Sequence, residues 1–193
     1  MRASSQNENI AGNDTGLRFR LRRETETAHK RLDDALIKHD LTTLSGLRSY
    51  LSVHFLARDY LQNIMTGYEA LRDDKEKLSN LRADFDVLDM PLPQWKDMPD
   101  RESHHPLGLI YVIAGSALGS KLLYKHWSAA SDPDVLEVKN FMTCAKDSRI
   151  WADFLVHLNA NQFTPAETHD MILGAEYCFG VFEAANNQIV GSL

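Results

Sequence analysis

Two stretches of this chain carry residue types whose spacing could do chemistry. The first is LRRETETAHKRLDDAL, residues 21–36. It sets His29 close to an apolar seam of Leu21, Ala28, Leu32 and Leu36, with Asp33 four residues on and on the same helical face. A carboxylate placed there can take one imidazole N–H, fix the ring and raise the basicity of the other nitrogen, which prepares a histidine to bind a metal. A partly buried structural histidine has the same pattern. The second stretch is AGSALGS, residues 114–120. Gly115 and Gly119 stand four apart on one helical face, and Ser116 and Ser120 form the adjacent column. Leu109, Val112, Ile113, Leu118 and Leu122 around them have the spacing of a buried helix. Each interior glycine costs about 1 kcal/mol relative to alanine. Such a strip serves either close packing of another helix or a flat ligand lying against the backbone.

Other chemistries find less support. Glu26-Thr-Ala-His29 and Glu102-Ser-His-His105 both have the Glu-x-x-His spacing of di-iron carboxylate bundles, with Glu69, Glu137, Glu176 and Glu183 as further donors. His105, however, precedes Pro106 and is pushed out of the α region, so Glu102 and His105 should not share a helical face. No serine stands in a G-x-S-x-G elbow, and AGSALGS lies inside a helix rather than opening one, which excludes a phosphate cradle. Of the eight histidines, His39, His104, His105 and His169 lie in polar or helix-end contexts and are expected in solvent. Cys144 and Cys178 form no framework or metal spacing; they are expected as small core residues in a reducing cytoplasm.

The elements that must position these residues are helical throughout, with no sustained period-two alternation. The first helix is expected from about Thr15 to Lys38 and the second from about Leu47 to Leu71, with Tyr50, Leu51, His54, Phe55, Tyr60, Ile64 and Tyr68 on its core face. A shorter one covers Lys75 to Leu88, and MPLPQWKDMPD, with three prolines in eleven residues, is an irregular connection. Further helices start at Pro106 and Pro133, and Arg149 to Asn159 continues after a bend. Thr164, Pro165 and Glu167 start the last one as N-cap, first position and capping-box partner, and it runs to about Ile189. The fold class is therefore all-α, one helical bundle over residues 15–193, preceded by a polar tail at 1–14 without the apolar core of a signal peptide. With 44% hydrophobic and 25% charged residues the composition is that of a globular domain. The net charge of −6 argues against nucleic acid or an anionic membrane as partner, and no apolar run is expected to span a bilayer.

Taken together, LRRETETAHKRLDDAL and YVIAGSALGS resemble the haem oxygenase family, particularly its bacterial biliverdin-producing members, the bacteriophytochrome-associated type included. The Leu-Arg-x-x-Thr-x-x-x-His pattern carries the proximal haem ligand in that family, which implies His29 as the iron ligand and Asp33 as its carboxylate neighbour. The second pattern is similar to the distal helix, with Gly115 and Gly119 at the positions that let backbone cover the haem face. The last helix places Phe179 at a distal-pocket aromatic position. Arg22 is implied as a propionate partner, with Tyr111 and Arg149 as further candidates. Three positions depart from the family: Ser116 stands where many members have an aspartate, Ser120 replaces a second glycine, and Leu155 falls where a propionate-binding basic residue is expected.

The function this resemblance implies is cleavage of haem b, both cofactor and substrate, to biliverdin, CO and ferrous iron. O₂ would react beneath the Gly115–Ser120 strip, with Ser116, backbone groups and ordered water supplying hydrogen bonds and protons. An external electron donor such as a ferredoxin or a flavin reductase is implied, and both iron acquisition and supply of a phytochrome chromophore fit. The alternatives are a non-catalytic haem-binding or sensor protein on the same fold, and a di-iron carboxylate oxidase.

Overall fold

The computed structural model describes residues 16–65, 72–144 and 149–192, which form nine α-helices and no strand. The expected polar tail, Tyr68 and Glu69 lie outside the described residues. In chain order the helices are α1 (Leu17–Glu24), α2 (Glu26–Leu36), α3 (Leu44–Ile64), α4 (Arg72–Val87), α5 (Pro106–Trp127), α6 (Pro133–Glu137), α7 (Asn140–Cys144), α8 (Arg149–Ala160) and α9 (Pro165–Val190).

The helix starts follow local chemistry. Thr43 caps α3 by accepting from Gly46 N at 3.2 Å, and Asp132 caps α6 by accepting from Asp134 N at 3.0 Å. Thr164 and Glu167 close the expected capping box at the start of α9. His105 has φ −61° and ψ 122°, the extended backbone its proline dictates, and its side chain caps Leu107 N.

Where a single first helix is expected, the chain kinks at Thr25, with φ −99° and ψ 4°. The Thr25 hydroxyl donates to the Leu21 carbonyl at 2.8 Å, a local bond that competes with regular helix and bends it. The second helix also ends earlier than expected, at Ile64, and the segment after Pro133 is divided among α6, α7 and α8.

α9 is the central strut, with α1, α2, α3 and α5 packed on it, while α4 and α7 form a second layer over α3. One core joins α5, α8 and α9 to the α1–α2 arm, and a second lies between α3, α4, α6 and α7. Asp84 joins the layers: buried on α4, it accepts from Asn140 N, Asn140 Nδ2 and Phe141 N at 2.8–3.0 Å and so fixes α7. Burial raises the Asp84 carboxyl, and these three donors oppose the shift.

The proline-rich connection between α4 and α5 is held as a strap. Trp95 Nε1 donates to Leu56 O, Gln188 pairs with Gln94 and Lys96, and the Tyr60 and Tyr177 hydroxyls meet at 2.7 Å over the carbonyls of Pro99 and Asp100.

By length and composition α5 is apolar enough to cross a bilayer, contrary to the expectation that no run qualifies; half of its most apolar eighteen residues are buried in the bundle, where a core helix needs the same apolar character. Three of the four histidines expected in solvent are drawn inward. His39 is buried on Asn186 at 2.8 Å, His104 lies between Glu102 and Asp170, and half-buried His105 caps α5. Each found a polar partner contributed by the fold, which is what makes burying an imidazole tolerable. Cys178 is in the core and Cys144 half-buried.

Candidate active site

The two stretches singled out by their chemistry can be placed against α9. On α2, the His29 ring meets Phe179 edge-on at 5.6 Å, Arg31 bonds Glu183 at 3.1 Å, and beyond the helix His39 reaches Asn186. On α5, Gly108 is pressed against Met171 O and Ala175 N, and eight residues later Ser116 accepts from Arg58, whose guanidinium lies over Phe182. Both helices therefore advance along α9 in the same sense, and His29 and the Gly115–Gly119 strip reach the same level of it, Phe179 to Glu183. One turn earlier the Thr25 side chain hydrogen-bonds Tyr111. Beyond that contact α2 and α5 each pack on α9 and scarcely on one another.

The wall made by α5 is open. Among the described residues, no atom beyond the neighbouring turns of α5 lies within 4 Å of where a Gly119 Cβ would stand, and at Gly115 the Trp151 ring alone comes near, at 3.7 Å. Leu118 and Leu122, whose spacing suggests burial, are 54% and 74% exposed. Their face is apolar as expected, but no described helix covers it. Close helix packing through small residues does occur, at Gly108 on Met171 and at Gly174 against His104 and His105, not at the strip.

The wall made by α2 carries the donor. The His29 side chain is 62% exposed, with Nδ1 3.3 Å from an Asp33 carboxylate oxygen. That neighbour favours the tautomer with the proton on Nδ1 and leaves the Nε2 lone pair for a metal. Phe179, expected at the far wall, is buried against this histidine.

At the Thr25–Tyr111 end lie cations and aromatic rings. Arg18 sits over Trp151 at 5.8 Å, and Trp151 meets Tyr111 at 5.9 Å. Burial raises the Tyr111 hydroxyl, while the Thr25 hydrogen bond and the charges of Arg22 and Arg18 oppose it. Arg22 is exposed on α1, close enough for its charge to reach Tyr111. The Arg149 side chain lies outside the described residues.

The two serines turn inward. Ser116 Oγ donates to Ile113 O at 2.7 Å while accepting from Arg58 Nη2 at 3.1 Å, and buried Ser120 donates to Ala117 O at 2.6 Å. Sequence reasoning missed Arg58 and Trp151. The signal for Arg58 was legible, since Leu47, Leu51, His54, Arg58 and Leu61 share one core-facing register and a charge there is out of place. Trp151 gave none, being one aromatic among several on an apolar helix.

Among the described residues no three His, Cys, Asp or Glu side chains gather as metal ligands, and Glu102 and His105 share no helical face. No protein-family model and no curated protein matches the chain. The shape does match. The crystal structures of the NO- and CO-bound haem oxygenase from Neisseria meningitidis superpose with a TM-score of 0.70, covering 92% of this chain and 93% of that one at 18% identity. The chain has a haem oxygenase fold. The residues present also suit a haem: one exposed imidazole with a carboxylate behind it, a facing backbone strip with room where side chains would project, and two arginines at the Thr25–Tyr111 end.

Proposed function

We propose that this protein is a haem oxygenase that holds haem between α2 and α5 and converts it, with O₂ and external electrons, to biliverdin, CO and ferrous iron. The observation that carries this reading is the pairing, at one level of α9, of an outward His29 imidazole with a helix stripped to backbone. Bound haem supplies both the redox centre and the carbon skeleton that is cleaved.

His29 Nε2 is the iron ligand, and Asp33 holds Nδ1–H so that the ring keeps one orientation. Gly115 and Gly119 let the macrocycle lie against backbone, and Trp151 at 3.7 Å from the Gly115 side bounds how far it can slide. Arg22, with Arg18 and the Tyr111 hydroxyl, faces the propionates from the Thr25–Tyr111 end. Ser116 and Ser120 border the face where O₂ reacts. The electrons come from a ferredoxin or a flavin reductase, and the biliverdin can serve iron acquisition or a phytochrome.

The test is a hemin titration followed by a reductant under air. One equivalent of hemin should give a Soret band, and turnover should give the biliverdin spectrum. His29→Ala should change the ferric spectrum and weaken binding; an unchanged spectrum would remove His29 as ligand, and no uptake by the wild type would remove the whole reading.

A haem sensor on the same fold is the second reading, favoured by one observation: the Ser116 proton is engaged by Ile113 O rather than directed at the open strip. It expects the Soret band without ring opening.

A further inference from the structure

Behind the open strip, on the buried side of α5, stands a charge that packing does not require. Arg58 is 1% exposed and continues a line of Tyr50 and His54 at four-residue spacing on α3. Its guanidinium lies 5.8 Å from the Phe141 ring and 5.9 Å from the Phe182 ring. Burial lowers it to about 10, so it remains a cation at neutral pH. A methionine or leucine would fill such a space without the cost of dehydrating a charge, and buried ion sites are commonly matched or bettered by apolar side chains of similar volume. One of the Arg58 contacts is specific: Nη2 donates to Ser116 Oγ at 3.1 Å, and Ser116 is the half-buried residue next to Gly115 on the rim of the strip.

We infer that Arg58 is a positioning residue, which fixes Ser116 Oγ at the rim and polarises its O–H so that Ser116 donates a hydrogen bond to an anionic or oxygen-bearing ligand on the Gly115–Gly119 face. This rests on the haem oxygenase reading of the site. The hydroxyl proton now points to Ile113 O, 2.7 Å away. Rotation about Cβ–Oγ redirects that proton without moving the oxygen, so the bond from Arg58 survives the change. A hydroxyl that accepts from a cation is a stronger donor, because hydrogen bonds in a chain polarise one another, most of all away from water. Lysine would not substitute well, since the planar fork reaches past two aromatic rings with a fixed direction. Arg58 and Ser116 together thus do from the buried side of α5 what a carboxylate at position 116 would do from its own side chain.

Azide binding to the hemin-loaded full chain tests this, followed by the Soret shift. Ser116→Ala and Arg58→Met should each weaken azide about tenfold, and the double variant should lose no more than either alone. Ser116→Ala removes one half-buried hydroxyl and leaves the fold intact; if Arg58→Met does not fold, Arg58→Lys, which keeps the charge and loses the forked reach, should show the loss. Azide affinity within about twofold of wild type in Ser116→Ala, or in the arginine variant that folds, overturns the inference, as do fully additive losses. A wild-type chain that takes up no hemin overturns the haem reading instead, and hemin uptake with unaltered azide binding overturns the Arg58–Ser116 pair alone.

Discussion

Replacing Gly119 by alanine pits the stability of α5 against the openness of the strip. Glycine in a helix interior costs about 1 kcal/mol relative to alanine, through its greater backbone freedom in the unfolded chain. That gain is realised only where the new methyl overlaps nothing, and among the described residues no atom beyond the neighbouring turns of α5 lies within 4 Å of its place. Gly119→Ala should therefore stabilise the ligand-free protein by about 1 kcal/mol, which for a chain of this length raises Tm by about 2–4 °C. Gly115→Ala should gain at least as much, since its methyl makes an ordinary van der Waals contact with Trp151 at 3.7 Å.

Gly108→Ala is the control. Its methyl would overlap the Met171 carbonyl, so α5 and α9 must part, at a cost of about 1–3 kcal/mol or more. The same Gly119 variant, and more strongly Gly119→Leu, should weaken hemin binding by filling the space a macrocycle needs. Thermal unfolding with and without hemin reads both effects. A lower Tm for ligand-free Gly119→Ala, or wild-type hemin binding by Gly119→Leu, would refute an open strip on α5.

Three further outcomes follow from other parts of the fold. His54 is buried among Tyr50, Phe141 and Phe182 with no hydrogen-bond partner among the described residues at either ring nitrogen, and burial, reinforced by Arg58, Lys77 and His39, holds it well below the usual imidazole range. The unfolded chain takes up this proton below about pH 6.5 and the folded chain does not, so stability should fall as pH drops, by at most about 1.4 kcal/mol per unit from this group. Urea melts at pH 7, 6 and 5 should show that slope reduced in His54→Phe; an equal slope in both proteins would locate the acid sensitivity elsewhere. Asp84→Ala strands two backbone N–H groups and the Asn140 amide at α7, and should cost about 3 kcal/mol in a denaturant melt, against much less for an exposed aspartate such as Asp134. Thr164→Ala opens the capping box of α9 and should cost about 1 kcal/mol.

The parts of this protein legible in sequence are those fixed by short-range physics. Pro106, Pro133 and the Thr164-Pro165-Glu167 run announce their helices because capping and proline geometry act within one turn. His29 and Asp33 are paired by helical spacing alone, and the glycine strip is visible because its residues violate helix propensity together.

Tertiary structure decided everything that depends on where a second element lies. Apolar periodicity marks the Leu118–Leu122 face as hydrophobic, but burial requires a neighbour, and none of the described helices covers it. The polar contexts of His39 and His104 suggest solvent until α9 brings Asn186 and Asp170 to them. A glycine needed for close approach at Gly108 looks the same in sequence as one left open at Gly119. Only the placement of α9 separates the two, because a missing side chain has meaning through what occupies, or can enter, the space beside it.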